Sequence, residues 1–135
     1  DKYKTAVPPY NYSSAQGIDY LVDLTKPEGS RVTVLRLTGH KEPFDLDRTY
    51  RVAVNSYRAG GAGGMLTKGS GIAKEDLPKR IVGATSHDQV YYLAAFFRKY
   101  GSVRPVDPAN WRFIPDSLAR PGAEHSRSFL FPRRK

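Results

Sequence analysis

The chain has 135 residues, with 22 Lys and Arg against 13 Asp and Glu, for a formal net charge of +9. That length holds one ordinary domain rather than two, and Leu, Ile, Val and Phe together supply 30 residues, enough for a modest core. There is no Cys, which excludes disulfides, thiolate metal sites and cysteine nucleophiles; no apolar run approaches the ~18 residues of a membrane span, and residues 1–10 carry no apolar signal-peptide core.

Residues 1–14 are polar and include Pro8 and Pro9, so they read as an extended arm. Residues 18–24 read as a strand that ends in the turn Lys26-Pro27-Glu28-Gly29, with Pro early to fix φ and Gly late to allow a positive one. Residues 31–37 form a second strand, completing a hairpin. A connection over 38–47, marked by Gly39 and Pro43, leads to a third expected strand over 49–55. There Tyr50, Val52 and Val54 alternate with Arg51, Ala53 and Asn55, the pattern of a sheet with one buried face.

Residues 56–71 are glycine-rich and break regular structure. One helical turn is expected over 74–79, stopping near Pro78, and 80–84 is short and β-like. The main helix is expected over 86–100. Ser86 and Gln89 form a capping box, and Val90, Leu93, Ala94 and Phe97 make one apolar stripe. Arg98 and Lys99 suit the helix's negative end, and Gly101 stops it. Residues 111–114 read as a last strand ended by Pro115, and 116–135 as a loose basic tail whose apolar cluster is Phe129, Leu130 and Phe131. The class is α+β: a mostly antiparallel sheet with one main helix, in a domain over 15–115.

The positive charge invites a polyanion partner such as nucleic acid, but its distribution argues for a solvated surface. The last twenty residues carry a surplus of +3, the rest is spread along the chain, and the longest basic run is Arg133-Arg134-Lys135. Chemistry concentrates instead at Asn55-Ser56-Tyr57-Arg58-Ala59-Gly60-Gly61-Ala62-Gly63-Gly64, directly after the third expected strand. Glycines bring backbone close to a ligand and expose N–H groups that cradle an anion. No Gly-Lys-Ser/Thr closes a P-loop here, and no long helix opens a Rossmann turn. Asn55, Tyr57 and Arg58 offer an amide, a stacking ring and a cation, the groups a nucleotide needs.

The stretch from Tyr50 to Gly61 resembles the C-terminal domain of the 5′-nucleotidase family, and is most similar to its bacterial 2′,3′-cyclic-nucleotide 2′-phosphodiesterase branch. Further blocks agree in order: Gly17-Ile18-Asp19-Tyr20 to Asp23, Lys26 to Val32, Pro43-Phe44-Asp45, Leu66 to Ile72, and Trp111-Arg112-Phe113-Ile114-Pro115. The resemblance covers about residues 10–115. It implies a two-domain extracytoplasmic, periplasmic or surface hydrolase of nucleotide catabolism. Its N-terminal metallophosphatase domain would hold two divalent metal ions and a catalytic His-Asp pair. The C-terminal domain would bind the nucleoside and rotate to deliver the phosphate. The aromatic residue before the Gly-Gly stretch stacks on the base in this family, and Tyr57 occupies that position. A second stacking aromatic and further base and phosphate contacts would come from a segment preceding Asp1.

The substrate-binding set expected on this basis is Asn55, Tyr57, Arg58, Gly60, Gly61 and Gly63, with no catalytic residue and no metal ligand in this stretch. Gly63 stands where many family members carry an Asp that contacts the ribose, and Gly64 replaces a larger polar residue, so side-chain specificity of the loop is reduced. His40 reads as a turn residue and His87 as a first-turn helix residue; Asp45 and Asp47 read as turn carboxylates, and Ser86 as a cap. The leading expectation is a nucleoside-binding piece, not itself catalytic, of a nucleotide phosphohydrolase. Two alternatives stay open: a non-enzymatic polyanion-binding module, and a piece that self-associates to cover apolar surface.

Overall fold

A computed structural model of the chain describes residues 12–131, apart from the Phe129 side chain. Most of the expected arm and the basic run at 133–135 lie outside these residues. Two compact units divide the chain: one combines the segment up to Arg48 with that from Pro108 onward, and the other is Thr49–Asp107. The glycine-rich stretch and Tyr57 lie in the second unit.

The first unit is a three-stranded sheet in the order β2-β1-β3, with β1 at Ile18–Asp23, β2 at Val32–Leu37 and β3 at Trp111–Ile114. β1 and β2 form the expected antiparallel hairpin, closed by a turn in which Ser30 N–H donates to Pro27 C=O (3.2 Å) and Gly29 takes φ 85°. The register steps over Leu35, since Asp19 faces Arg36 and Tyr20 faces Val34. This bulge frees the Leu35 carbonyl to accept from Phe44 N–H at 2.9 Å. β3 pairs with β1 in parallel, Tyr20 facing Trp111 and Asp23 facing Ile114. A parallel pair needs a long connection, and here the whole second unit lies between β2 and β3.

The core of this unit is Tyr20, 8% exposed, whose ring stacks on Trp111 with centroids 5.8 Å apart. Its hydroxyl accepts from Ala15 N–H at 3.2 Å. Asn110, also buried, donates from Nδ2 to the carbonyls of Ala15 and Ile18, each at 2.8 Å, and ties the start of β1 to the start of β3.

The expected loose tail is helical as far as Leu130: α4 spans Asp116–Leu130. Asp116 sits in the first turn, where a carboxylate favours the dipole. Leu118, Ala119, Arg120, Ala123, Glu124 and Arg127 are good helix formers, and they outweigh the Pro121-Gly122 break read from sequence. Of the terminal apolar cluster, Leu130 and Phe131 are exposed.

In the second unit, the third expected strand does not form. Residues 49–55 are irregular, and Val52 and Val54 are exposed. Alternation supplies a face, but a strand also needs a ladder partner, and no described strand pairs with this segment. The short β-like stretch expected at 80–84 is likewise irregular from residue 81.

The glycine-rich stretch is instead a chain of short turns. α1 is Ser56–Ala59, followed by a 3-10 turn at Ala62–Gly64 and a π turn at Met65–Gly69. A second 3-10 turn, Lys74–Asp76, runs into α2 at Leu77–Arg80. Pro78 lies in the first turn of α2, where its missing N–H costs nothing, so it opens the helix rather than stopping it. Leu77, 4% exposed, is the buried apolar residue of this unit.

The main helix α3 is Gln89–Tyr100. It starts later than the capping box suggests because Asp88 is the cap, its carboxylate accepting from Tyr91 N–H at 2.8 Å. Ser86 Oγ lies 2.9 Å from His87 Nδ1 instead. The stripe is amphipathic but open: Val90, Leu93 and Phe97 are about half exposed or more. Tyr91 meets Tyr92 and Phe96 meets Phe97 edge to face, Phe96 lies 4.6 Å from Tyr100, and Tyr91 stacks on His87 at 3.9 Å.

Candidate functional site

The candidate site is the turn built by α1 and its glycine cap. Asn55 holds extended dihedrals and caps α1, its Oδ1 accepting from Arg58 N–H at 2.9 Å. An Asn cap satisfies an otherwise orphaned donor, so this side-chain oxygen, expected to meet a ligand, is engaged in shaping the turn. Tyr57 follows on α1 with its ring 52% exposed. Arg58 is only 8% exposed, and its guanidinium carbon lies 5.6 Å from the centroid of the Tyr57 ring. That distance is within cation–π range and restricts the ring that a ligand would meet.

The glycines act first through conformation. Gly61 has φ 86°, and a Cβ there would stand 2.9 Å from Leu77 Cδ1 and 3.2 Å from Thr67 Cγ2. Only glycine lets the chain reverse so tightly over Leu77. The backbone donors are already committed: Gly60 N–H to Ser56 C=O at 3.0 Å, Gly61 N–H to Arg58 C=O at 2.9 Å, and Gly64 N–H to Gly61 C=O at 3.2 Å. An anion cradle made of these N–H groups, anticipated from the sequence, therefore has few free donors.

An open cavity of about 610 Å³ lies against this turn. Of the six expected residues, Gly60 and Gly61 line it, whereas Asn55, Tyr57, Arg58 and Gly63 do not. Thr67, Lys68, Ile72 and Lys74 complete much of the wall. These four were not anticipated as site residues, although Thr67, Lys68 and Ile72 fall in the 66–72 block that carries the resemblance.

The residues read as structural behave locally. Asp45 accepts from Asp47 N–H at 2.9 Å, a turn role, and His40 Nδ1 lies 4.0 Å from Glu42. Among the described residues no group of three or more His, Asp or Glu side chains converges on a possible metal position. None of the described helices is long and apolar enough to cross a membrane.

Three relatives are each named 2′,3′-cyclic-nucleotide 2′-phosphodiesterase/3′-nucleotidase. The one from Haemophilus influenzae is 33% identical over 122 residues, covering 78% of this chain and 17% of the relative. That from Salmonella typhimurium is 27% identical over 120 residues, again 78% and 17%, and that from Yersinia enterocolitica is 25% identical over 133 residues, 90% and 19%. The chain thus spans less than a fifth of the length of these relatives. No solved structure matches the chain at the same stringency. The family model described as "5′-nucleotidase, C-terminal domain" matches residues 1–68, which include both strands of the hairpin, Tyr57 and the glycine turn, and the chain belongs to that family.

Proposed function

We propose that this domain is the nucleoside-binding part of a larger, extracytoplasmic metal-dependent phosphohydrolase of nucleotides. The observation that carries the reading is the half-exposed Tyr57 ring on a capped, glycine-closed turn. The names of the relatives support the substrate class, a nucleotide or cyclic nucleotide. In this reading Tyr57 stacks on the base, Arg58 fixes the ring from behind, and Gly60, Gly61 and Gly63 keep the backbone low enough for a ligand to approach. The two divalent ions and the water-activating chemistry belong to a separate metallophosphatase domain, and the present chain contributes binding and orientation.

Stacking of a base on an aromatic side chain contributes about 1–3 kcal/mol. Calorimetric titration of the full chain with adenosine is expected to give saturable binding that Tyr57→Ala weakens by roughly tenfold and Tyr57→Phe leaves nearly intact. Absence of binding, or indifference to Tyr57→Ala, would refute the stacking role. A steep fall of affinity with salt, indifferent to the base, would identify a polyanion module instead. The pure chain is expected to release no phosphate from nucleotides with added divalent metal; metal-dependent turnover would overturn the division of labour.

A further inference from the structure

We propose that the cavity beside the glycine turn is an anion subsite, in which Lys68 and Lys74 hold a phosphate group. This goes beyond base stacking by Tyr57, which does not line the cavity. The first observation is size: about 610 Å³ falls within the range of small-molecule sites. The second is charge. Lys68 and Lys74 both line the space, and no Asp or Glu does. Neither lysine forms an ion pair with a described residue, whereas the neighbouring Asp76 is engaged by Lys79 at 2.6 Å. Two cations on one concave wall without a counter-charge raise the local potential for an anion.

The third observation is how the lysine stems are seated. A Cβ on Gly64 would lie 3.6 Å from Lys68 Cδ, and one on Gly61 would lie 4.0 Å from Lys74 Cγ. Both stems therefore pass close to glycine backbone, where a side chain at either glycine would crowd them. Because the Gly60, Gly61 and Gly64 N–H groups already donate within the turn, the charge for an anion has to come from side chains. Gly60, Gly61 and Ile72 give the same cavity an apolar wall, which suits a phosphate carried on a nucleoside as well as free phosphate.

The test is titration of the full chain with inorganic phosphate, 5′-AMP and adenosine, followed by amide chemical shifts and calorimetry at fixed ionic strength. Saturable phosphate binding is expected, with shifts concentrated in residues 60–74. Lys68→Gln and Lys74→Gln should each weaken it severalfold and together about tenfold or more, while Lys41→Gln, in the other unit, leaves it unchanged. Tighter binding of 5′-AMP than of phosphate, lost in the double variant, identifies a nucleotide phosphate; equal binding identifies free phosphate. No saturable binding, shifts elsewhere in the wild-type chain, or a double variant that binds phosphate undiminished overturns the subsite. 5′-AMP binding that depends on Tyr57 but not on the lysines would overturn it while leaving the stacking role standing.

Discussion

The two units are held together in different ways. In the sheet unit the defining bonds join residues distant in sequence: Asn110 to Ala15 and Ile18, Arg36 to Asp19, and Tyr20 against Trp111. In the Thr49–Asp107 unit they are local: Asn55 caps α1 three residues on, Asp88 caps α3 three residues on, and the glycine turns close within a few residues. Long-range bonds form and break together, whereas local ones open piecemeal. The difference teaches where a ligand can act. The turn carrying Tyr57 belongs to the locally bonded unit, so a ligand bound there would order backbone as well as contact it.

The strongest way to break this contrast is to remove the centre of the sheet unit. Tyr20→Ala deletes a buried ring, its stack on Trp111 and the acceptor for Ala15 N–H. Aromatic-to-alanine changes in a core cost about 3–5 kcal/mol, so the urea midpoint followed by Trp111 fluorescence should fall sharply or the unit should not fold. A loss under about 1 kcal/mol would show that Tyr20 does not anchor the sheet.

Gly61→Ala probes the other unit. It forces an L residue to φ 86° and drives a methyl into Leu77 and Thr67. Backbone strain of about 1–2 kcal/mol adds to the overlap with Leu77 and Thr67. Gly71→Ala also has a positive φ, 68°, but meets nothing within 4 Å, and should cost about 1 kcal/mol from strain alone. Hydrogen exchange should therefore speed up over residues 56–80 more in Gly61→Ala than in Gly71→Ala, with β1 unchanged in both. Equal effects would mean that the turn does not rest on Leu77. Asn55→Ala comes next, at about 1 kcal/mol for a lost N-cap. It should loosen α1, visible as faster exchange of Arg58 N–H, whereas Asn55→Asp should retain the bond.

What the sequence revealed follows the same division. The β1–β2 hairpin and β3 were legible within a residue or so, because alternation and turn chemistry are local properties. The parallel pairing of β1 with β3 was not, since nothing in a strand's own residues names its partner. Tyr50, Val52 and Val54 carry a strand pattern but find no ladder, and the α3 stripe carries a helix pattern without a covering surface. Pro121-Gly122 masked α4, and Asp88 outcompeted Ser86 as a cap. At the candidate site, the glycine turn and exposed Tyr57 were readable from spacing and resemblance. The burial of Arg58 and the lining of one cavity by both Lys68 and Lys74 were not, because tertiary contacts decide both.

The smallest expected effect is a pH dependence of the sheet unit. Asp19 accepts from Arg36 Nε and Thr38 Oγ1, each at 2.8 Å. Those bonds hold its carboxyl below the ordinary value of 3.8, the Arg36 bond contributing most and the Thr38 bond next. Asp23 is lowered in the same direction, by the Thr25 hydroxyl and then the Thr25 N–H. With a depressed folded pKa, the unfolded chain takes up a proton first as the solution is acidified. The stabilisation is therefore complete above the unfolded value, drains as pH falls through it, and is gone below the folded one. The Trp111-monitored urea midpoint should decline from about pH 5 downward. Because Asp19 is largely solvent-screened, the change should be modest, and Asp19→Asn should lower the midpoint slightly at neutral pH while flattening the slope. Asp23 would sustain the remaining slope, so Asp19→Asn combined with Asp23→Asn should flatten it further. An unchanged slope in the double variant would trace the acid sensitivity to other carboxylates and remove Asp19–Arg36 from the bonds that distinguish the sheet unit.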